Sequence, residues 1–362
     1  MTEILLTIFF ISVLLFFLGS GIWVALSMIG VSAIGMMLFT SRPVGDAMAT
    51  TIWGTSSSWT LTALPLFVWM GEILFRTKLS ENLFKGLSPW MQKLPGGLIH
   101  VNVVGCALFA AISGSSAATV ATVGKMSIPE LRKRNYPERI LLGSLAGSGT
   151  LGLLIPPSII LIIYGVAVQE SIAKLFIAGI IPGIMIALIF MSYVIIWSLI
   201  NKDQMPKIFE KYSFFEKIKR STQLLPIILL ISGVIGSIYT GVATATEAAS
   251  LGVVGSLILS YFQKSLTLET FKSSLLGATK TSCMIAFILA GSTFLSLAMG
   301  FTGLPRNLAI WIQDMNLSPY VLIFVLMIFY IILGMFLDGI SAVVLTMAII
   351  EPMIRQAGFD MI

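Results

Sequence analysis

The chain has 362 residues, of which 57% are hydrophobic and only 10% charged. Its mean hydropathy of +0.99 excludes a water-soluble domain, in which about a quarter of residues carry charge. The net charge of +6 calls for no nucleic acid, because loops beside anionic lipid collect Lys and Arg.

Apolar stretches of about 17–25 residues, the length that crosses a hydrocarbon core of roughly 30 Å, recur from end to end and predict about seven full spans. Short alternating strands of the barrel type are not seen. The first stretch, 4–18, follows Glu3 rather than a basic flank and reads as a retained helix, not a cleaved signal. Further helices are predicted at 20–39, 60–76, 137–168 with a break at Pro156-Pro157, 176–200, 222–239, 244–262 and 279–300. Segments 46–56, 79–92, 170–175, 267–278 and 304–315 mix apolar with charged residues and read as helices lying along the interface. Cys106 and Cys283 both sit in apolar runs, which predicts small buried residues and no disulfide.

Two stretches are not simple spans. In 97–131 the apolar arms flank Ser113-Gly114-Ser115-Ser116, and in 319–354 they flank Leu337-Asp338-Gly339-Ile340-Ser341. Serines and glycine weaken a helix at mid-depth. Each stretch is therefore predicted to be a re-entrant hairpin, tolerated where protein or a water-filled cavity surrounds its tip.

With the N-terminus outside and both hairpins returning to their own face, seventeen of the 22 basic residues fall inside and four outside, with Lys125 in a hairpin arm. This asymmetry fits loops retained in the cytoplasm. It also puts the hairpins on opposite faces, as in an inverted-topology repeat. The same spacing separates Ser115 from Pro129 and Asp338 from Pro352, and again Pro129 from Tyr136 and Pro352 from Phe359. The expected fold is an all-α polytopic membrane protein with discontinuous helices and an inverted repeat. Residues 1–200 form the first repeat, 201–221 a basic cytoplasmic linker and 222–362 the second repeat. A counterpart of Pro156-Pro157 would fall beyond Ile362, so the sequence is expected to be a C-terminally truncated piece.

The polar tips and the proline break carry the candidate chemistry. Ser113, Gly114, Ser115 and Ser116 offer hydroxyls and backbone oxygens to a hard cation such as Na⁺, and Asp338, Gly339 and Ser341 form the second such tip. An acid near mid-membrane is costly without a cavity or partner, which makes Asp338 a functional candidate. Capping of its own hairpin is the structural alternative. Ile155, Pro156 and Pro157 cannot continue a helix and leave carbonyls free. Ser158 and the following helix N-terminus, with Thr119 nearby, suit a substrate carboxylate. Packing of small residues between helices competes with each of these roles.

Other residues have plainer explanations. Glu247 follows Thr244 and suits a helix cap, Glu72 precedes Arg76 by one turn and suits an ordinary pair, and His100 reads as structural. One histidine supplies no partnered nucleophile, Asp338 lacks a second central aspartate for acid catalysis, and no His/Cys cluster marks a metal hydrolase. No enzyme and no cofactor is expected.

Ala111-Ile112-Ser113-Gly114-Ser115-Ser116-Ala117-Ala118, Leu154-Ile155-Pro156-Pro157-Ser158, Ala178-Gly179-Ile180-Ile181-Pro182-Gly183, Ala245-Thr246-Glu247-Ala248-Ala249 and Phe336-Leu337-Asp338-Gly339 together resemble the large membrane subunit of tripartite ATP-independent periplasmic (TRAP) transporters. The resemblance covers essentially the whole chain. It implies an elevator-type secondary transporter of the bacterial inner membrane, driven by sodium and importing an organic acid such as a C4-dicarboxylate or sialic acid. It implies two partners, a small four-helix membrane subunit and a periplasmic substrate-binding protein. Family members continue into a second proline-interrupted helix that is not present here. A stand-alone Na⁺/carboxylate symporter and an ion channel are the alternatives.

Overall fold

The computed structural model describes residues 2–76, 79–206, 212–303, 307, 318–335, 337 and 339–362; for 2–5, 7, 79–81, 112, 113 and 348 it describes the backbone alone. The described elements are helical. The chain begins with α1 (Thr2–Gly19), α2 (Val24–Phe39), α3 (Val44–Ser56), α4 (Ala63–Phe75) and α5 (Leu79–Met91). Next come α6 (Ile99–Ser113), α7 (Ser116–Lys133), α8 (Glu138–Gly149), α9 (Ile159–Val168) and α10 (Ile172–Ile200). It continues through α11 (Phe214–Ser221), α12 (Leu225–Tyr239), α13 (Ala245–Phe262) and α14 (Leu268–Thr302) to α15 (Pro319–Gly334) and α16 (Gly339–Gln356).

Local chemistry sets several of these boundaries. Ser171 accepts from the Lys174 amide at 3.4 Å and starts α10. Thr244 and Glu247 exchange bonds in a capping box at the start of α13, so Glu247 serves as a helix cap. Two expected divisions are missing. The predicted segments 267–278 and 279–300 form the single helix α14, because no proline or turn pair interrupts its hydrogen-bond ladder. Segment 170–175 is likewise absorbed into α10 behind its Ser171 cap. Residues 304–315, apart from Asn307, lie outside the described residues.

Three helices, α10, α13 and α14, are individually long and apolar enough to cross a membrane. Among the described residues there are up to six such spans if bent pairs are joined, α3 with α4 and α11 with α12 each turning by 54°. The apolar surface supports the same reading. On α10, Ile181, Ile184, Leu188, Ile189 and Ile196 are exposed, and on α15 so are Tyr320, Phe324 and Ile331. Contiguous surfaces of this kind belong in hydrocarbon.

The chain divides into two compact units. One comprises residues 1–61, 163–170 and 282–362. Its core sets Met36 of α2 against Phe294 and Ala298 of α14. Nearby, a Cβ added at Gly291 would stand 2.8 Å from the Ala25 carbonyl oxygen and 3.3 Å from its Cα, so α2 and α14 touch backbone to backbone. The same unit contains the α15–α16 hairpin. Tyr330 Oη lies 2.7 Å from Thr346 Oγ1, and Leu322 packs with Met353, which sets the two arms antiparallel. Arg355 closes its base, donating to Glu351 Oε1 at 2.9 Å and to the Val168 carbonyl at 3.1 Å. Cys283, on α14, is exposed rather than buried as expected, because it lies on the outward face of that helix; Cys106 is buried, and both are free thiols.

The other unit comprises residues 62–162 and 171–281. Its core gathers Ile99, Val103 and Ala110 of α6 with Ile140, Leu151 and Val194. Alongside, α13 packs on α4 with Gly252 facing Met70. Glu72 pairs with Arg76 one turn on.

Because the α2–α14 contact at Gly291 is made by backbone that cannot rotate aside, Gly291→Val is expected to cost about 1–3 kcal/mol. A thermal melt in detergent would read this as a clear fall in Tm. Gly54→Ala, where an added Cβ meets nothing within 4 Å, should leave Tm nearly unchanged.

Candidate functional site

The first hairpin forms because its tip is built from residues that end one helix and start another. Gly114 is the C-cap of α6 in the left-handed region, φ 57°, and its amide donates to the Ala110 carbonyl at 2.9 Å. Only glycine adopts that conformation without strain. Ser115 then turns extended and caps α7, its side chain accepting from the Ala118 amide at 3.5 Å. The arms return side by side, with Gly105 of α6 against Val123 of α7. Ser113 is the last residue of α6 and Ser116 the first of α7, so the predicted ion-site residues 113–116 do occupy one tip.

The break falls where the prolines require it. After α8 a single tight turn, Thr150–Leu153, leads to Leu154–Ser158 outside any helix, and α9 starts at Ile159. The Pro156-Pro157 peptide is cis. Ser158, fully buried, donates its hydroxyl to the Leu153 carbonyl at 2.7 Å and so closes the gap across the break. Thr119, also fully buried, donates to the Ser115 carbonyl at 2.8 Å. Both hydroxyls therefore spend their proton within their own turn and can offer a ligand only oxygen lone pairs. Two prolines remove two amide donors from the break, which leaves its backbone richer in acceptors than in donors.

Tip and break are in contact. A Cβ placed on Gly114 would lie 2.9 Å from the Ile159 amide nitrogen and 3.3 Å from the Pro157 carbonyl oxygen. On the opposite side a Cβ at Gly152 would lie 3.2 Å from the Ser115 carbonyl and 3.3 Å from the Ser116 nitrogen. Gly114 thus meets Pro157 and Ile159 at the break, and Ser115 and Ser116 meet Gly152 in the tight turn that precedes it.

The break has a second wall that sequence reasoning did not assign to the site. Gly179 and Gly183 of α10 face it, and an added Cβ would come within 2.8 Å of the Leu154 carbonyl oxygen and 2.8 Å of Ile155 Cγ1, respectively. Their spacing of one helical turn was the available signal. Behind the hairpin, Asn102 donates to the Leu141 carbonyl at 3.2 Å and to Ser144 Oγ at 3.0 Å, joining α6 to α8. Its Oδ1 is buried and has no partner among the described residues. His100 Nε2 lies 2.8 Å from the Pro95 carbonyl in a fully buried position, a structural placement.

The second predicted tip lies in the other unit. Asp338 is outside the described residues. Gly339 is the first residue of α16, and Ser341, two residues on, is buried. Among the described residues, no group of three or more His, Cys, Asp or Glu side chains converges as a transition-metal site would require.

An apolar helical chain with a helical hairpin seated on a proline-broken helix is an all-α, multi-pass membrane protein. Comparison with known proteins makes this specific. A family model described as "Tripartite ATP-independent periplasmic transporter, DctM component" matches residues 9–362. The C4-dicarboxylate TRAP transporter large permease protein DctM of Pseudomonas aeruginosa is 32% identical over 91% of this chain and 76% of its own length. The sialic acid TRAP transporter large permease protein SiaM of Vibrio cholerae is 30% identical over 95% of this chain and 80% of its own. The isethionate TRAP transporter permease protein DctMQ of Oleidesulfovibrio alaskensis is 28% identical over 95% of this chain and 54% of its own. The chain belongs to the DctM family of TRAP transporter large permeases. It is therefore a transporter permease subunit and not an enzyme.

The glycine contacts give a direct test. Gly114→Val combines the left-handed backbone with a clash against backbone, and is expected to destabilise by about 2 kcal/mol or more. Gly143→Ala, whose added Cβ would meet nothing within 4 Å, should be near neutral, and the two melts compared in one detergent would show the difference.

Proposed function

We propose that this chain is the large transmembrane subunit of a sodium-coupled secondary transporter that imports an organic acid. A periplasmic substrate-binding protein delivers the acid, and a small four-helix membrane subunit completes the complex in the bacterial inner membrane. The N-terminus faces the periplasm. The two hairpins and the helices around them act as inverted repeats, residues 1–200 and 222–362, on either side of the basic linker 201–221.

One observation carries the reading: a serine-rich helical tip seated against an acceptor-rich break in a second helix. In that setting Na⁺, a hard cation that takes oxygen ligands, is a co-substrate and no resident cofactor is needed. Ser113, Gly114, Ser115 and Ser116 supply oxygens on the tip, and Asp338, Gly339 and Ser341 are assigned the corresponding role in the second hairpin. Ile155, Pro156, Pro157, Ser158 and Thr119 are assigned to the substrate. The amide-rich starts of α7 and α9 favour its carboxylate, while the hydroxyls of Ser158 and Thr119 act through the turns they hold. Relatives named for C4-dicarboxylate, sialic acid and 2,3-diketo-L-gulonate support an organic acid as the substrate class.

The test is uptake into proteoliposomes containing the full complex. Ser115→Ala and Asp338→Asn should each weaken uptake and shift its sodium dependence, with expression intact. Unaltered sodium dependence in both variants would refute the site. Uptake that needs no binding protein would instead favour a stand-alone symporter, and linear, sodium-independent flux a channel.

A further inference from the structure

The linker between the expected repeats ends in a helix, α11, with three different faces. By helical periodicity Phe214, Phe215 and Ile218 share one face, Glu216, Lys219 and Arg220 lie opposite, and Lys217 and Ser221 fall between them on one flank. Each face has its own surroundings.

The flank docks on α5. Lys217 is buried, its ammonium 5.3 Å from the centre of the Trp90 ring, a cation held over an indole face. The Trp90 indole donates to Ser221 Oγ at 2.7 Å, and Phe214 meets the same ring edge-on. Just past α11, Leu224 seats against Gly86, where an added Cβ would come within 2.6 Å of its Cγ. The charged face looks outward. Glu216 accepts from the Ser213 amide at 2.8 Å, the Arg220 guanidinium lies 4.4 Å over the Tyr212 ring, and Glu216, Lys219 and Arg220 are all exposed.

The apolar face is exposed as well: Phe214 by 68%, Phe215 by 75% and Ile218 by 44%. Across the 54° bend it is followed by exposed Leu225, Ile228 and Leu229 on α12, the apolar helix that completes this bent span. A bend of that size turns α11 well away from the line of α12 and toward the membrane plane. A helix so inclined, with aromatic and aliphatic residues on one side and exposed charges on the other, divides its surface as the boundary between acyl chains and headgroups does.

We propose that α11 is a membrane-surface anchor, and that phospholipid at the acyl–headgroup boundary covers its Phe214–Phe215–Ile218 face in the leaflet where α12 begins. The basic linker is then not solvated to its end; its last two turns lie in the interface, braced from the side by Trp90.

The experiment places the full chain in nanodiscs of phosphatidylcholine and phosphatidylglycerol, with Cys106→Ala and Cys283→Ser removing the free thiols. A nitroxide label is attached at one site at a time, through Phe215→Cys, Ile218→Cys or Lys219→Cys. Lys202→Cys, at an exposed linker residue, is the water reference, and Leu229→Cys is the lipid reference. Collisions of the label with oxygen, which concentrates among acyl chains, are compared with collisions with a nickel chelate, which stays in water. Labels at 215 and 218 should favour oxygen several-fold, as at 229, and the label at 219 should favour nickel, as at 202. Labels at 215 and 218 as open to nickel as the one at 202 would mean a solvated face and overturn the proposal. Labels there shielded from both reagents would mean a protein cover and overturn it equally. If the labelled variants lose their fold, benzoylphenylalanine at position 215 of the otherwise native chain carries the test: photo-cross-links to phospholipid support the anchor, and cross-links to protein alone, or none, overturn it. Neither readout requires transport, so both stand apart from sodium coupling and the hairpin site.

Discussion

The contact on which this site depends is backbone against backbone. Gly114 at the hairpin tip sits on the Pro157 carbonyl and the Ile159 amide, and Gly152 sits beneath Ser115 and Ser116. The hairpin needs Gly114 for a second reason, its left-handed turn from α6 into α7. One missing side chain therefore serves both the local geometry of the turn and the tertiary contact. Without it, the arms could still pair, but the tip would be held away from the break.

Around that contact the structure places few charges and many oxygens. The prolines remove donors, Ser158 and Thr119 direct their protons into their own turns, and glycines of α10 close the far wall. Charge is concentrated elsewhere in the same unit, along the base of α7 and the ends of the neighbouring helices. The charged cluster and the oxygen-rich joint of tip and break are thus spatially distinct, though both involve α7.

Much of this could be read from the sequence because the signals were local. Ser113-Gly114-Ser115-Ser116 announces a turn wherever it stands, and Pro156-Pro157 forces a break whatever surrounds it. Glu247 and Glu72 likewise found the near neighbours that short-range spacing predicts. The features missed depend on partners distant in the chain. Nothing within α10 says that Gly179 and Gly183 will meet Leu154 and Ile155, and nothing near Asn102 says that it will bind α8. The charged residues of 267–278 suggested an interfacial helix, but charge alone does not end a helix, and α14 runs through. The exposure of Cys283 shows the same limit, since an apolar run does not reveal which face meets lipid.

The glycine seat also bears on how such a transporter could change its cargo over evolutionary time. Side chains at 114 and 152 would strike main-chain atoms, which cannot swing aside as a side chain can. Those positions are closed to gradual remodelling by enlargement. On the proposed function, new selectivity would be acquired at the periphery, through residues that border the break without forming its joint with the tip, and that joint would be insulated from the diversification of what is carried.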